Sequence, residues 1–170
     1  MKNFTIITIL IFIAIQMNAQ WTNLTDPLME GGYISAFEKH GTDLFIASDG
    51  GIFRSTDNGS TWTYSMDGIN YHSNYVNSLC SHTTGLYTCQ DGLYSSSNGV
   101  TWSTVTMTGV PANSWINSVA EANNTLFAII QDQSDNYYLF SSTDGTNWTQ
   151  NQLLASAGNV EEIEFLNFSE

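Results

Sequence analysis

Carboxylates with aromatic side chains nearby are the residues of this sequence that could do chemistry. Six positions are candidates for binding a ligand: Asp49, Tyr71, His72, Asp91, Trp115 and Asp132. Aromatic rings stack on the apolar faces of sugars, and carboxylates accept hydrogen bonds from sugar hydroxyls. An aspartate of this set could also serve as one of the two carboxylates of a glycoside hydrolase, which lie about 5 to 9.5 Å apart.

Turn formation is the alternative role of the same aspartates. Asp49-Gly50 and Asp91-Gly92 match the sequence of hairpin turns, in which aspartate before glycine is a common pair. We therefore assign no catalytic residue from the sequence. No metal site and no cofactor is predicted either, because the three histidines show no ligand spacing and a Cys-x-x-Cys pattern is absent.

The charge of the chain narrows the choice of partners. It has 16 acidic residues against 3 lysines and arginines, a formal net charge of -13. Nucleic acid is disfavoured as a partner, because binding it needs clustered basic residues. Arg54 is the one arginine of the sequence, so chemistry that needs an arginine cluster for a carboxylate or phosphate is excluded for this chain.

The N-terminus has the order of regions found in a secretory signal peptide. Lys2 precedes an apolar run over residues 4–15, and the more polar residues 16–20 follow. The run is shorter than the roughly 20 residues of a membrane span. We predict a signal peptide over residues 1–19, no membrane insertion after its cleavage, and a secreted or cell-envelope location.

Two cysteines, Cys80 and Cys89, flank a predicted hairpin in what would be an oxidising compartment. If Thr84 and Gly85 form its two-residue loop, the cysteines lie opposite each other at a separation that suits a disulfide. Two reduced, buried cysteines are the ordinary alternative.

The sequence repeats itself with a period near 40 residues. Trp21, Trp62, Trp102 and Trp148 are each followed by Thr or Ser, at spacings of 41, 40 and 46 residues. Short runs of β-formers bounded by Gly, Asn, Asp and Ser recur between them and predict strands, with no helical periodicity after residue 19. The repeats cover about residues 33–65, 75–106 and 115–151, and another starts at 159. A period of 40 to 45 residues with four short strands per unit is typical of a propeller.

Each predicted third strand ends in a turn motif. The first copy, with Ser55, Asp57, Gly59 and Trp62, matches Ser-x-Asp-x-Gly-x-x-Trp at every fixed position. The second copy has Ser95, Gly99 and Trp102, with Ser97 at the aspartate position. The third copy has Ser141, Gly145 and Trp148, with Thr143 there. In this motif the sequence resembles the Asp-box (BNR) repeat family, which includes sialidases, xyloglucanase-type hydrolases, the sortilin luminal domain and the photosystem II assembly factor.

The resemblance implies an all-β fold, a β-propeller segment of about three four-stranded antiparallel blades. Strands A to D of each blade place the Asp box between C and D, where its role is predicted to be structural. Three blades are too few to close a ring. The remaining blades are expected from the same protein, of which this chain would be the N-terminal portion, or from another chain. Sialidase chemistry is disfavoured because Arg54 stands alone.

The predicted function is that of an exported binding module for a carbohydrate or a protein ligand. Its functional face is expected to combine the B–C turns with the loops 64–74, 104–114 and 150–158. The alternative is the N-terminal part of a secreted, xyloglucanase-like glycoside hydrolase.

Overall fold

Twelve short strands make up the part of the chain that the computed structural model describes, residues 33–69, 76 and 78–155. The first blade contains β1 (Ile34–His40), β2 (Asp43–Ser48), β3 (Gly51–Ser55) and β4 (Thr63–Tyr64). The second contains β5 (Ser78–His82), β6 (Gly85–Cys89), β7 (Leu93–Ser96) and β8 (Ser103–Thr104). The third contains β9 (Trp115–Ala122), β10 (Thr125–Gln131), β11 (Tyr137–Ser142) and β12 (Thr149–Ala155).

Each blade is an antiparallel sheet whose strands follow one another in chain order. The described residues contain no helix, and in those ranges no helical segment offers the length and hydrophobicity of a bilayer span. The predicted fold class is therefore confirmed: the described part is all-β, with three four-stranded blades that do not close into a ring. The predicted signal peptide, Trp21 and the predicted repeat start at 159 lie outside the described residues.

The core lies between consecutive blades, as the alternation of side chains along a strand requires. Between blades 1 and 2 it includes Phe45, Ile52 and Leu86, and between blades 2 and 3 it includes Leu126 and Phe140. These side chains are at most 1% exposed. A third cluster, with Ile46, Phe53 and Trp62, covers the face of blade 1 that points away from blade 2. The sheets of blades 1 and 2 are thus apolar on both faces.

The linker from one blade to the next lies against the Asp box of that next blade. Asp67 forms a parallel bridge with Thr101, and Thr108 forms the equivalent bridge with Asn147. The glycine after each, Gly68 or Gly109, has a φ near +90°. A Cβ atom at Gly68 would lie 2.2 Å from the carbonyl oxygen of Trp102. The first parts of the loops 64–74 and 104–114 therefore join consecutive blades.

The hairpin that carries the cysteines has a different register from the predicted one. His82 pairs with Gly85, so the turn residues are Thr83 and Thr84, and Cys80 faces Tyr87. Gly85 is the first residue of β6, and glycine is needed there because the carbonyl oxygen of Ser96 would lie 2.6 Å from a Cβ atom.

Both cysteines are free thiols, which corrects the disulfide alternative. Cys89 lies opposite Ser78, whose hydroxyl is 3.1 Å from its sulfur. Burial raises the pKa of Cys89 to about 11 and that of Cys80 well above its ordinary value. Neither thiol is activated as a nucleophile.

Candidate functional site

The first Asp box closes on itself through two side chains. The Ser55 hydroxyl donates to Asp57 Oδ1 at 2.8 Å and accepts the Gly59 N–H at 2.8 Å. Asp57 also accepts the Thr61 N–H at 2.8 Å and the Thr61 hydroxyl at 2.7 Å. The indole N–H of Trp62 donates to the Gly59 carbonyl oxygen. The turn thus satisfies its own donors, and the ring of Trp62 covers it.

The second and third boxes use a serine one position later than predicted. Ser96 and Ser142, rather than Ser95 and Ser141, accept the N–H groups of Gly99 and Gly145, at 2.8 and 2.9 Å. Ser96 pairs with Leu86 as Ser55 pairs with Leu44, so strand register places it in the box. Ser95 and Ser141 precede these serines, and alternation turns their side chains to the opposite sheet face.

The aspartate position moves with the serine. Asn98 Oδ1 accepts the N–H groups of Val100 and Thr101, and Asp144 Oδ1 accepts those of Thr146 and Asn147. Ser97 and Thr143 therefore do not replace the box aspartate. These turns are one residue shorter than the first, which holds Asn58 at a φ of 57° before its glycine. The Ser-x-Asp spacing of Ser142 and Asp144 is the sequence signal that identifies this alignment.

Hydrogen bonds within the turns lower the pKa values of the two box carboxylates. Hydrogen bonds from Thr61 lower the pKa of Asp57 to about 2, and bonds from the side chain and backbone of Asn147 hold the pKa of Asp144 well below its usual range. In the described ranges no group of three or more His, Cys, Asp or Glu is arranged to hold a metal ion. The boxes thus act as turn-forming units in this structure.

The candidate aspartates lie in the B–C turns of three separate blades. Asp49 Oδ2 accepts the Tyr33 N–H at 3.1 Å, and its Oδ1 is buried with no hydrogen-bond partner in the described part of the chain. Asp91 accepts the Tyr94 hydroxyl at 2.9 Å. Each carboxylate thus bonds within its own blade, and these hydrogen bonds do not join two of them at one cleft.

Asp132 begins the five-residue B–C turn of the third blade. Its Oδ1 accepts the N–H groups of Ser134 and Asn136, at 2.8 and 2.9 Å. Its Oδ2 accepts from Asn136 Nδ2 and from the Tyr138 hydroxyl. Hydrogen bonds from the side chain and then the backbone of Asn136 lower the pKa of Asp132. The turn is an ordered, anionic loop.

Blade 3 extends farther toward the B–C end than blade 2. In blade 2 the last B–C pair is Cys89 with Leu93. In blade 3 the corresponding pair, Ile129 with Leu139, is followed by two more, which end at Gln131 with Tyr137. Two extra residues per strand add about 7 Å of height. The 46-residue spacing between Trp102 and Trp148 thus corresponds to a taller hairpin as well as a longer turn.

An aromatic row lies on the top of this extension. Trp115 pairs with Gln131, and Gln131 pairs with Tyr137, so the three side chains lie on the sheet face away from blade 2. The Gln131 amide is fixed by Asn117 Nδ2, which donates to it, and by Asp135 Oδ1, which accepts from it at 2.9 Å. A β-bulge at Asn117 sets the direction of Trp115. We call Trp115, Gln131 and Tyr137 the Trp115 row.

Of the described candidate residues, Trp115 is exposed, at 56%, and Asp91 is exposed as well, whereas Asp49 and Asp132 are half-buried. Tyr71 and His72 lie outside the described residues. Gln131 and Tyr137 join Trp115 only through strand pairing, and sequence spacing gave no reason to group them.

Comparison with known structures supports the fold. No family model and no curated protein matches the chain. Among solved structures, it is similar to "YCF48 bound to D1 peptide", with a TM-score of 0.51 at 12% sequence identity. The similarity covers 74% of this chain and 42% of the YCF48 chain. At this identity it shows the fold, and it agrees with the three blades: the described residues are part of a β-propeller.

Proposed function

We propose that the chain is a binding module for a protein ligand, and that the ligand binds at the B–C end of the third blade. The observation that carries this proposal is the exposure of Trp115. Trp62, Trp102 and Trp148 are 2 to 4% exposed and belong to the Asp boxes, whereas Trp115 is 56% exposed at the top of the tallest blade. Tryptophan is enriched among the residues that dominate protein interfaces.

The energy available at this position is sufficient for an anchor. Tryptophan buries about 150–250 Å² when covered, so the exposed half of Trp115 offers about 100 Å². At about 25 cal/mol per Å², covering it would contribute roughly 2.5 kcal/mol to binding. The ordered loop that begins at Asp132 supplies polar groups beside it without further loss of conformational freedom.

The peptide bound in the matched structure also supports a protein ligand. YCF48, a β-propeller of low sequence identity, was solved bound to a D1 peptide. The D1 peptide is a ligand of YCF48, and its binding shows that a propeller of this general architecture can hold a peptide.

A carbohydrate is the second candidate ligand. The Trp115 row places two aromatic rings on either side of an amide whose orientation is fixed, an arrangement that can stack on and hydrogen-bond to a sugar. Turnover is the weaker candidate, because the hydrogen bonds of Asp49, Asp91 and Asp132 stay within separate blades.

The proposed location is outside the cytoplasm, on the basis of residues 1–19. Sequencing the N-terminus of protein secreted by an expressing cell tests this, and the expected first residue is Gln20. A protein that retains Met1 in the cytoplasmic fraction would contradict export.

Binding to defined ligands tests the function itself. The full chain and its Trp115→Ala variant would be screened against a random peptide library and a glycan array. We expect ligands that lose about tenfold or more in affinity when Trp115 is removed. Val100→Ala is the matched control, because Val100 is 39% exposed in the box turn at the opposite end of its blade. Ligands that bind equally well to the Trp115→Ala chain would refute the proposed surface.

A further inference from the structure

Both ends of the blades carry carboxylates, but the basic residues of the described part lie at one end only. The basic residues of this part, Lys39 and Arg54, both lie near the end that carries the A–B turns and the Asp boxes. Arg54 is also occupied, because its Nη2 lies 2.5 Å from Asp43 Oδ2 in an ion pair. The B–C end carries Asp49, Asp91, Asp132 and Asp135, with no Lys, Arg or His among its described residues. Its electrostatic potential is therefore negative, and it favours a cationic partner.

The Trp115 row and these carboxylates are connected through one side chain. Gln131 is the cross-strand neighbour of Trp115, and its Nε2 donates to Asp135 Oδ1 at 2.9 Å. Asp132 follows Gln131 directly in the chain, and its carboxylate is held by the backbone of its own turn. An exposed indole on β9 and two anchored carboxylates in the β10–β11 turn thus lie at the B–C tip of blade 3.

We infer that this tip recognises a lysine- or arginine-bearing segment of a protein partner, with the cation lying over the Trp115 ring. The inference rests on the proposed function and specifies the class of its ligand. A cation over the face of an indole is attracted by the ring quadrupole, and Asp135 accepts its N–H groups, while the charge of Asp132 in the same turn adds to the attraction. A net charge of -13 adds long-range attraction for such a segment.

A neutral sugar could use the same ring and donate its hydroxyls to the carboxylates, but it would gain nothing from the negative charge of the four aspartates. An acidic peptide would be repelled by them. The charge of the B–C end therefore favours the basic segment over either alternative.

The test is selection of a random dodecapeptide library on the full chain, after depletion of the library on the Trp115→Ala chain. Both chains have the same charge, so peptides that bind through charge alone are removed. We expect the enriched peptides to contain Lys and Arg well above their frequency in the library. Enrichment of neutral or acidic peptides would overturn the cationic preference and leave the protein-binding function in place. Enrichment of none would overturn both.

The affinity of the best enriched peptide for further variants then measures the contribution of the carboxylates separately from that of the ring. We expect Asp135→Asn to weaken its binding about three- to tenfold, because asparagine keeps the left-handed backbone of this position, at a φ of 58°, and loses the charge. Asp67→Asn, in the linker between blades 1 and 2, removes the same charge and should change the affinity little. Equal losses in both variants, or binding that raised salt does not weaken, would refute the inference.

Discussion

A buried serine hydroxyl organises each Asp box by accepting the N–H of the box glycine. Ser55, Ser96 and Ser142 are 1 to 4% exposed and occupy the same position in strand register. The oxygen two residues later, from Asp57, Asn98 or Asp144, then accepts the N–H groups that follow. The boxes therefore share a hydrogen-bond pattern even though the turns differ in length by one residue.

Replacing the buried serine tests this alignment. Ser96→Ala leaves the Gly99 N–H without its acceptor, so we expect the free energy of unfolding to fall by about 1 to 3 kcal/mol. Ser95→Ala, which removes a hydroxyl from the opposite sheet face, should change it by less than about 0.5 kcal/mol. Chemical denaturation of the two variants measures the difference. A larger loss in Ser95→Ala would restore the predicted alignment.

Asp57 gives the first box a stabilisation that depends on pH. Its pKa is lowered from 3.8 to about 2 by bonds from Thr61, so its ionised form is the one that stabilises the fold. That contribution is fully present above pH 3.8 and is lost as the pH falls toward 2. We expect Asp57→Asn to have a lower Tm than the native chain near neutral pH, with a gap that narrows below about pH 4. A gap that stays constant over this range of pH would contradict the assignment.

At the scale of elements, the linkers fix how each blade connects to the next. Each runs beside the next blade's box, and its glycine lies where the chain approaches a carbonyl oxygen too closely for any side chain. The repeat of this contact at Gly68 and Gly109 shows that one device joins both pairs of blades. It also holds the backbone of Asp67 against the box of blade 2.

Alanine at Gly68 is the direct test of the linker. With a φ of +90° and a Cβ atom 2.2 Å from Trp102 O, we expect a loss of more than about 1 kcal/mol in the free energy of unfolding. Gly92→Ala is the control, since nothing lies within 4 Å of a Cβ atom there. Its stability should be unchanged or raised by less than about 1 kcal/mol. Equal stability of the two variants would exclude the close approach.

At the scale of the whole molecule, the blades share their cores. Cys80, Tyr87 and Leu93 of blade 2 pack against Val119 and Phe140 of blade 3, so neither sheet buries its apolar face alone. A hydrogen bond also joins the two blades, because the Val119 N–H donates to Ser78 Oγ at 2.9 Å. The unit of stability is therefore the junction and not the blade.

Thermal unfolding of the full chain should accordingly be a single transition. We expect the calorimetric and van't Hoff enthalpies to agree, because opening one junction exposes apolar surface on two blades. Ser78→Ala, which removes the junction hydroxyl, should lower the Tm and keep one transition. Two resolved transitions in either protein would show that the blades are independent.

Much of this organisation could be predicted from the chain alone. Trp62, Trp102 and Trp148 mark the boxes by their regular spacing, and the runs of β-formers between them mark the strands. For the serine of boxes 2 and 3, and for the loop of the cysteine hairpin, the predicted position differs from that in the structure by one residue. Serine runs and the Thr84-Gly85 pair permit two registers, and local sequence does not distinguish them.

The sequence by itself determined the period, the strand order within a blade and the acidity of the surface, because these depend on residue type and spacing. The tertiary structure alone decided the register of the strands, the free state of Cys80 and Cys89, and the meeting of Trp115, Gln131 and Tyr137. The physical reason is the same in each case. Side chains alternate with a period of two, so a shift of one residue moves every contact to the other face, and only packing between blades selects the face.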